Sequence, residues 1–456
     1  MVIQGEIAVG KYFGTDGFRG EAGKTLTSLH AYDIGRFLGW YYGKEHRAKV
    51  VIGKDTRRSS YSLEYALCAG LTSSGADAYI LHVTTTPSVS YVTRTEDFDC
   101  GIMISASHNP FYDNGIKIIN GKGEKMSEIV LSEIEQYIEW KKPEIPFATG
   151  EKIGRTEDFV AGRNRYVGYL ISLASHSYKG VRIGIDASNG SAWMIAKSVF
   201  DALGAKTFII NNNPDGLNIN KNCGSTHIDG LCELVKKEKL DIGFAFDGDA
   251  DRCLAVDCKG NVLTGDHIMY MCAKYLKECG QLSKNTVVAT IMSNIGLFRA
   301  LDELDIKYIK TDVGDKYVYE AMLRDGLSLG GEESGHIIFS KHATTGDGLI
   351  TAIKIMEVLM ESKMRSDELC NDFKMYPQYL VNVRVLDKNA VMTNKEVLEV
   401  LNKVQDSLGS DGRVLLRKSG TEPVVRVMAE AETAEKCREA VERVVESIRF
   451  NIDFTD

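Results

Sequence analysis

The 456-residue chain contains no stretch of about 18 uninterrupted apolar residues, so no membrane-crossing helix is expected. Its opening, MVIQGEIAVGKYFG, has no basic start leading into an apolar run, and export is not expected either. The ten cysteines, scattered from Cys68 to Cys437, include no CxxC pair and no regular spacing. They read as reduced thiols of a cytoplasmic protein rather than a disulfide framework. Positive charge is scarce: a net charge of −8 lacks the basic footprint of a general nucleic-acid binder. An anionic ligand would have to be met by locally gathered arginines and lysines. Nucleotide motifs are missing too, because Gly23-Lys24-Thr25 ends like a P-loop but Phe18 stands where the first glycine is needed. No GxGxxG opens a helix, and no low-complexity block interrupts the chain.

What remains is globular composition, 44% hydrophobic and 26% charged, in a chain too long for one core. At roughly 100–200 residues per domain, three or four domains are expected. Three segments share one plan, a strand-like apolar run, a polar loop, an amphipathic helix and a further strand. They open at KVVIGKDTRRSS (49–60), VRIGIDASNGSA (181–192) and NTVVATIMSNIG (285–296), with helices expected near 59–74, 191–203 and 294–304. The last part differs, with a helix near 394–408, a strand-loop-strand region over 413–432 and a closing helix near 433–449. The expected fold is α/β, with three similar mixed-sheet units followed by a smaller C-terminal α+β domain. Linker signals at 141–154, 257–261 and before 375–380 divide it into 1–150, 151–256, 257–372 and 373–456.

Four clusters could carry chemistry. In GIMISASHNPFYDNGIKIIN (101–120) an apolar strand runs into Ser107 and His108, and Pro110, unable to continue a ladder, turns the chain and leaves both at a surface. An ordinary turn would look the same. In LDIGFAFDGDADRCLAVD (240–257), Asp247, Asp249 and Asp251 alternate after a strand, which in extended geometry aims all three carboxylates one way. Such a trio repels itself unless a cation intervenes, and all-oxygen ligands suit a hard ion such as Mg²⁺; the alternative is a solvated acidic loop. An EF-hand is excluded, since Arg252 stands at its glycine position and Cys258 at its glutamate position. In SLGGEESGHIIF (328–339), an extended run would put Glu332, Ser334 and His336 on one face and Glu333 on the other, a set able to bracket sugar hydroxyls, or a plain hairpin. In RVLLRKSGTEPVVRV (413–427), Arg417, Lys418, Ser419, Gly420, Thr421 and Arg426 gather donors around a tight turn, either a phosphate nest or an exposed basic turn.

Together, KYFGTDGFRG, ISASHNP, DGDADR, GGEESGH and RKSGTEPVVR occur in the order seen in the α-D-phosphohexomutase superfamily, and the resemblance spans nearly the whole chain. NCGSTH (222–227), VGDKYV (313–318) and TTGDGLITA (344–352) are similar to its amino-sugar branch, with the phosphomannomutase/phosphoglucomutase branch as the alternative. The resemblance implies four domains around a central cleft and phosphoryl transfer between two oxygens of one hexosamine, in supply of UDP-N-acetylglucosamine synthesis. It implies a phosphoserine at Ser107 and one Mg²⁺ on Asp247, Asp249, Asp251 and the seryl phosphate. Lys117 matches the general base, with His108 and Arg252 beside the reaction centre; taken locally, Lys117 would be a surface lysine. Arg19, Glu332, Ser334 and His336 match substrate contacts, and Arg417, Ser419, Gly420, Thr421 and Arg426 a distal phosphate site. A sugar bisphosphate is implied as activator and a phosphosugar as the small-molecule partner, with no nucleic acid, no membrane and a monomer or homodimer. Two positions depart from the branch, which usually has glutamine at Glu333 and proline at Lys418.

Overall fold

The computed structural model describes residues 10–14, 16–419 and 424–452. It forms two compact units, one running to Met292 and resuming over Ile306–Cys370, the other built from Ser293–Asp305 and the chain from Asn371 onward.

The first unit holds three sheets. In each, two parallel strands are joined through a helix: Lys49–Lys54 with Asp77–Val83, Arg182–Asp186 with Lys206–Ile210, and Thr286–Thr290 with Lys307–Thr311. The connecting helices, Arg58–Ser73, Ala192–Ala202 and Ile295–Glu303, the last of which belongs to the second unit, begin and end within one residue of expectation. A further parallel strand then pairs with the first: Cys100–Ile104, Ile242–Phe246 and Leu329–Gly331. Each of these three is buried along its whole length, which explains why it reads as an unbroken apolar run rather than an alternating one.

The chain then reverses into an antiparallel partner: Asp113–Asn120, Cys253–Asp257 and Ile337–Phe339. This repeated reversal is what positions chemistry. The loops it creates are residues 105–112, 247–252 and 332–336, and they carry the first three polar clusters. The first sheet extends to seven strands and the second to five; the third has four.

In the second unit, Val424–Glu430 lies between Gln378–Arg384 and Arg413–Lys418, antiparallel to both. Helices Lys395–Leu408 and Ala434–Asn451 complete it around a valine-rich core. Glu430, the last residue of the middle strand, is fully buried, accepting from Arg413 Nε at 2.8 Å and Nη2 at 3.0 Å and from the Ile295 amide at 2.8 Å. A buried carboxylate is tolerable only with this degree of satisfaction. All ten cysteines are free thiols, and among the described residues no helix is long and apolar enough to cross a membrane.

Candidate active site

Ser107 opens the turn after Cys100–Ile104 and is 1% exposed. The expectation that it stands at a surface is therefore corrected: neighbouring loops cover it. Its φ of +51° places it in the left-handed region, which costs a non-glycine residue roughly 1–2 kcal/mol. Hydrogen bonds offset that cost. Its amide donates to Ser105 Oγ at 2.9 Å, and its carbonyl accepts from Arg57 Nη2 at 3.1 Å and Asn220 Nδ2 at 2.8 Å. The side chain is left to the aspartate loop: Oγ donates to Asp247 Oδ2 and lies 3.4 Å from His108 Nδ1.

Asp247, Asp249 and Asp251 are all buried, and one oxygen from each lies within 4.8 Å of the others. Extended alternation does not bring them together. Residues 248–251 form a turn, with Ala250 at φ +56° and its amide donating to the Asp247 carbonyl at 3.1 Å. Gly248 is required there, because a Cβ would come within 2.4 Å of the Ser107 carbonyl oxygen. The serine loop and the aspartate loop are thus in backbone contact. Asp249 Oδ2 accepts from Thr86 Oγ1 and, at 2.6 Å, from Lys117 Nζ, which also reaches Asp251 Oδ2 at 3.1 Å. Asp249 Oδ1 and Asp251 Oδ1 are buried with no protein donor.

The electrostatics follow from this crowding. Burial, reinforced by Asp251 and Asp249, pushes the Asp247 carboxyl far above the usual range. Burial raises Asp251 as well, but Lys117 and the cations around it prevail and hold it at about 2. For Lys117 burial works against the charge, yet the Asp249 and Asp251 carboxylates win and raise its pKa. It is not a surface lysine. His108 is pushed down to about 4 by burial, with Arg252 and Arg19 adding to the effect, so its imidazole is neutral near pH 7. Arg252 donates its amide to Asp247 Oδ1 at 3.1 Å, and the surrounding carboxylates, led by Asp247, overcome burial to raise its pKa. Arg19 sits on Gly17–Glu21, opposite Gly115, with Nη2 3.3 Å from Asp16.

The third loop also departs from extended geometry. The Gly335 amide donates to the Glu332 carbonyl at 3.0 Å and the Glu332 amide to the His336 carbonyl at 3.1 Å, closing a tight turn. Glu332, Ser334 and His336 therefore do not share one strand face. Ser334 is exposed, Glu332 is half-buried with Oε1 accepting from the Gly314 amide at 3.0 Å, and His336 is 3% exposed beneath the loop, its Nε2 3.5 Å from Asp315. The carbonyl of Gly335, a residue at φ +89°, accepts from the Cys253 amide at 3.0 Å, which ties this loop to the strand that follows the aspartates.

In the second unit, Arg417 and Arg426 are direct cross-strand partners, so their side chains leave the sheet on one face. The Ser419 carbonyl accepts from Lys388 Nζ at 2.8 Å, and Lys418 Nζ donates to Asn389 at 2.9 Å. Gly420 and Thr421 lie outside the described residues.

Residues that sequence reasoning passed over support this site. Arg57 and Asp55, both fully buried, form an ion pair behind the Ser107 turn. Asn220 clamps the same turn, and Thr86 braces Asp249. KDTRRSS showed Asp55 and Arg57 just past a strand end, but a loop position is equally common for such residues.

Comparison with known proteins is consistent along the whole length. Models of the phosphoglucomutase/phosphomannomutase α/β/α domains I, II and III and the C-terminal domain match residues 10–144, 164–260, 264–376 and 380–447. The phosphoglucosamine mutase of Lachnospira eligens is 64% identical over 444 residues, covering 97% of this chain and 99% of that protein. The chain belongs to the phosphoglucosamine mutase family. The Bacillus subtilis member is 47% identical over 442 residues, covering 97% of this chain and 99% of its own. Membership in this family makes the chain an intramolecular phosphotransferase, of the isomerase class. The fold is shared more widely. A phosphoglucomutase/phosphomannomutase family protein from Burkholderia thailandensis superposes with a TM-score of 0.79 at 22% identity, covering 97% of this chain and 98% of that one. Aspergillus fumigatus N-acetylphosphoglucosamine mutase, solved with GlcNAc-6P and magnesium, superposes with a TM-score of 0.70 at 17% identity, covering 97% and 96%.

Proposed function

We propose that this chain interconverts glucosamine 6-phosphate and glucosamine 1-phosphate through a phosphoserine at Ser107 and a bisphosphorylated sugar intermediate. The observation that carries this reading is the buried Ser107 hydroxyl, held by a left-handed turn against a cluster of three carboxylates. A serine kept only for structure needs no such neighbours.

The carboxylate cluster fits a hard divalent cation. Three buried acids repel one another, and two of their oxygens lack a donor from the protein. Mg²⁺ would be held by Asp247, Asp249, Asp251 and Ser107 or its phosphate, and would supply positive charge that polarises the seryl phosphate. Lys117 is positioned to add charge towards the transferring group. It can accept a sugar hydroxyl proton only when Asp249 and Asp251 are engaged by another cation, because their carboxylates now keep it protonated. Neutral His108 contributes a hydrogen bond beside Oγ, and Arg252 and Arg19 contribute fixed positive charge.

Glu332 and Ser334 are assigned to sugar hydroxyls, with His336 beneath them. Arg417 and Arg426, like charges placed side by side, suit a phosphate dianion, and Ser419, Gly420 and Thr421 are assigned to the same group. A sugar bisphosphate would prime Ser107, and the intermediate would turn to present its second phosphate for return to the serine. Ten unpaired thiols favour a reducing, cytoplasmic setting.

Substrate preference tests the branch. Catalytic efficiency is expected to be highest on glucosamine 6-phosphate, lower on glucose 6-phosphate and lowest on mannose 6-phosphate, each assayed with its matching bisphosphate. A site that pairs the amino group penalises a sugar lacking it by leaving polar groups unsatisfied. Equal efficiency on glucose and glucosamine phosphates, or a preference for mannose phosphate, would transfer the chain to the phosphomannomutase/phosphoglucomutase reading.

A further inference from the structure

The carbonyls of Ser107 and Asn109 face the same two donors. Arg57 Nη2 reaches Ser107 O at 3.1 Å and Asn109 O at 2.6 Å, and Asn220 Nδ2 reaches them at 2.8 Å and 3.0 Å. Each carbonyl thus accepts from both donors. The two donors come from different parts of the chain. Arg57 precedes the helix Arg58–Ser73, whereas Asn220 lies in the long connection after Lys206–Ile210.

Asn220 is itself shaped for the task. It is 7% exposed, holds φ at +58°, and anchors its own amide on the Ser188 carbonyl at 2.9 Å. Asparagine is among the few side-chain-bearing residues that enter the left-handed region readily, and here its amide group is the part that leaves the backbone to reach another loop. Both of its amide hydrogens are committed to carbonyls, which leaves it no side-chain donor for a phosphate.

We infer that Asn220 is a positioning residue for phosphoryl transfer: with Arg57 it locks the Ser107 backbone in its left-handed turn, so that Oγ faces Asp247 in line for reaction. Without the Asn220 amide, the turn keeps one donor of two, and Ser107 gains an extended alternative in which its hydroxyl points elsewhere. The loss falls on the reacting geometry, not on substrate affinity, because no substrate contact is removed. Misplacement of a reacting atom by about 1 Å costs on the order of 100-fold in rate. Arg57 is the less informative member to change, because its removal strands the buried Asp55 carboxylate and threatens the fold.

This inference rests on the reading of Ser107 as the transferred seryl group, and the experiment separates the two. Asn220→Gly keeps the left-handed backbone without strain and removes the side chain that carries the amide. In the full-length enzyme, we expect kcat for glucosamine 6-phosphate to fall about 10- to 100-fold with KM within about twofold and the thermal midpoint nearly unchanged. Asn220→Asp, which turns a carboxylate towards two carbonyl oxygens, should fall further. If Asn220→Gly does not fold, Asn220→Ser, which retains one donor, should show the same kcat loss in smaller measure. The positioning role is overturned if the folded variant keeps kcat within twofold, or if the loss lies in KM. Intact mass of the wild-type protein is measured alongside. A wild type that carries no phosphate on Ser107 after incubation with the bisphosphate overturns the seryl reading, and with it the clamp; a phosphorylated wild type whose kcat is matched by that of Asn220→Gly overturns the clamp alone.

Discussion

Ser107→Ala is expected to reduce mutase turnover by about 10⁴-fold or more while leaving the protein folded, the scale on which loss of a covalent nucleophile acts. The structural cost should be small. Among the described residues the hydroxyl's hydrogen-bond partners are Asp247 and His108, whereas the turn is held through the Ser107 amide and carbonyl, which alanine retains. Alanine also carries the same left-handed penalty as serine, so the thermal midpoint should move by no more than a few degrees. Ser107→Thr separates nucleophile identity from geometry. A β-branched residue is a poor occupant of φ +51°, and the variant should lose activity despite keeping a hydroxyl. Intact mass should show one phosphate on the wild type after incubation with glucosamine bisphosphate and none on Ser107→Ala. Net phosphate release without any bisphosphate requirement would indicate a phosphatase, and turnover of Ser107→Ala near the wild-type rate would end the covalent reading.

The strands of this fold were legible because burial on both faces writes them as apolar runs bounded by polar loops. Cys100–Ile104 and Ile242–Phe246 are examples, and each helix between parallel strands fell where its periodicity placed it. The shape of the loops was not legible. Alternating aspartates suggested an extended segment, but Ala250 at φ +56° folds them into a turn, and three carboxylates meet by a route that period-two spacing does not describe. In the third loop Gly335, at φ +89°, closes a turn that exposes Ser334 and buries His336, where an extended reading had put them on one face.

Long-range pairing was the other blind spot. Ser107 and Asp247 are 140 positions apart, and their contact depends on two hairpins whose loops pack backbone to backbone at Gly248. No local pattern contains that information; the resemblance to a known superfamily supplied it. Arg57, Asp55 and Asn220 show the same limit, since what distinguishes a buried clamp from a solvated loop is the partner and not the residue. The common device is plain once the sheets are drawn. In each α/β unit a central strand buried on both faces ends in a hairpin reversal, and polar residues placed at the reversal are held by three rigid scaffolds.

Asp249→Asn is expected to lower kcat by about 100-fold or more without destabilising the metal-free protein. The carboxylate is fully buried, its Oδ2 taken by Thr86 and Lys117 and its Oδ1 without a protein donor. An asparagine in its place keeps its oxygen towards those two donors and turns its NH₂ group into the space shared with Asp247 and Asp251. That space then presents a donor where a cation needs an acceptor. Removing one of three mutually repelling acids relieves part of the repulsion that adds to burial in raising Asp247, while the largely buried Lys117 keeps only Asp251 as an ion-pair partner; the two effects oppose, so the metal-free variant should melt close to the wild type. Mg²⁺ should separate the two proteins. Binding to the folded state alone stabilises by about 2.7 kcal/mol at a hundredfold excess over Kd, a gain the wild type should show as a raised melting temperature and the variant should largely lack. Wild-type turnover should vanish in excess chelator and return on addition of Mg²⁺. Undiminished turnover in chelator would remove the metal from the reaction, and an equal thermal response of both proteins to Mg²⁺ would place the ion away from Asp249.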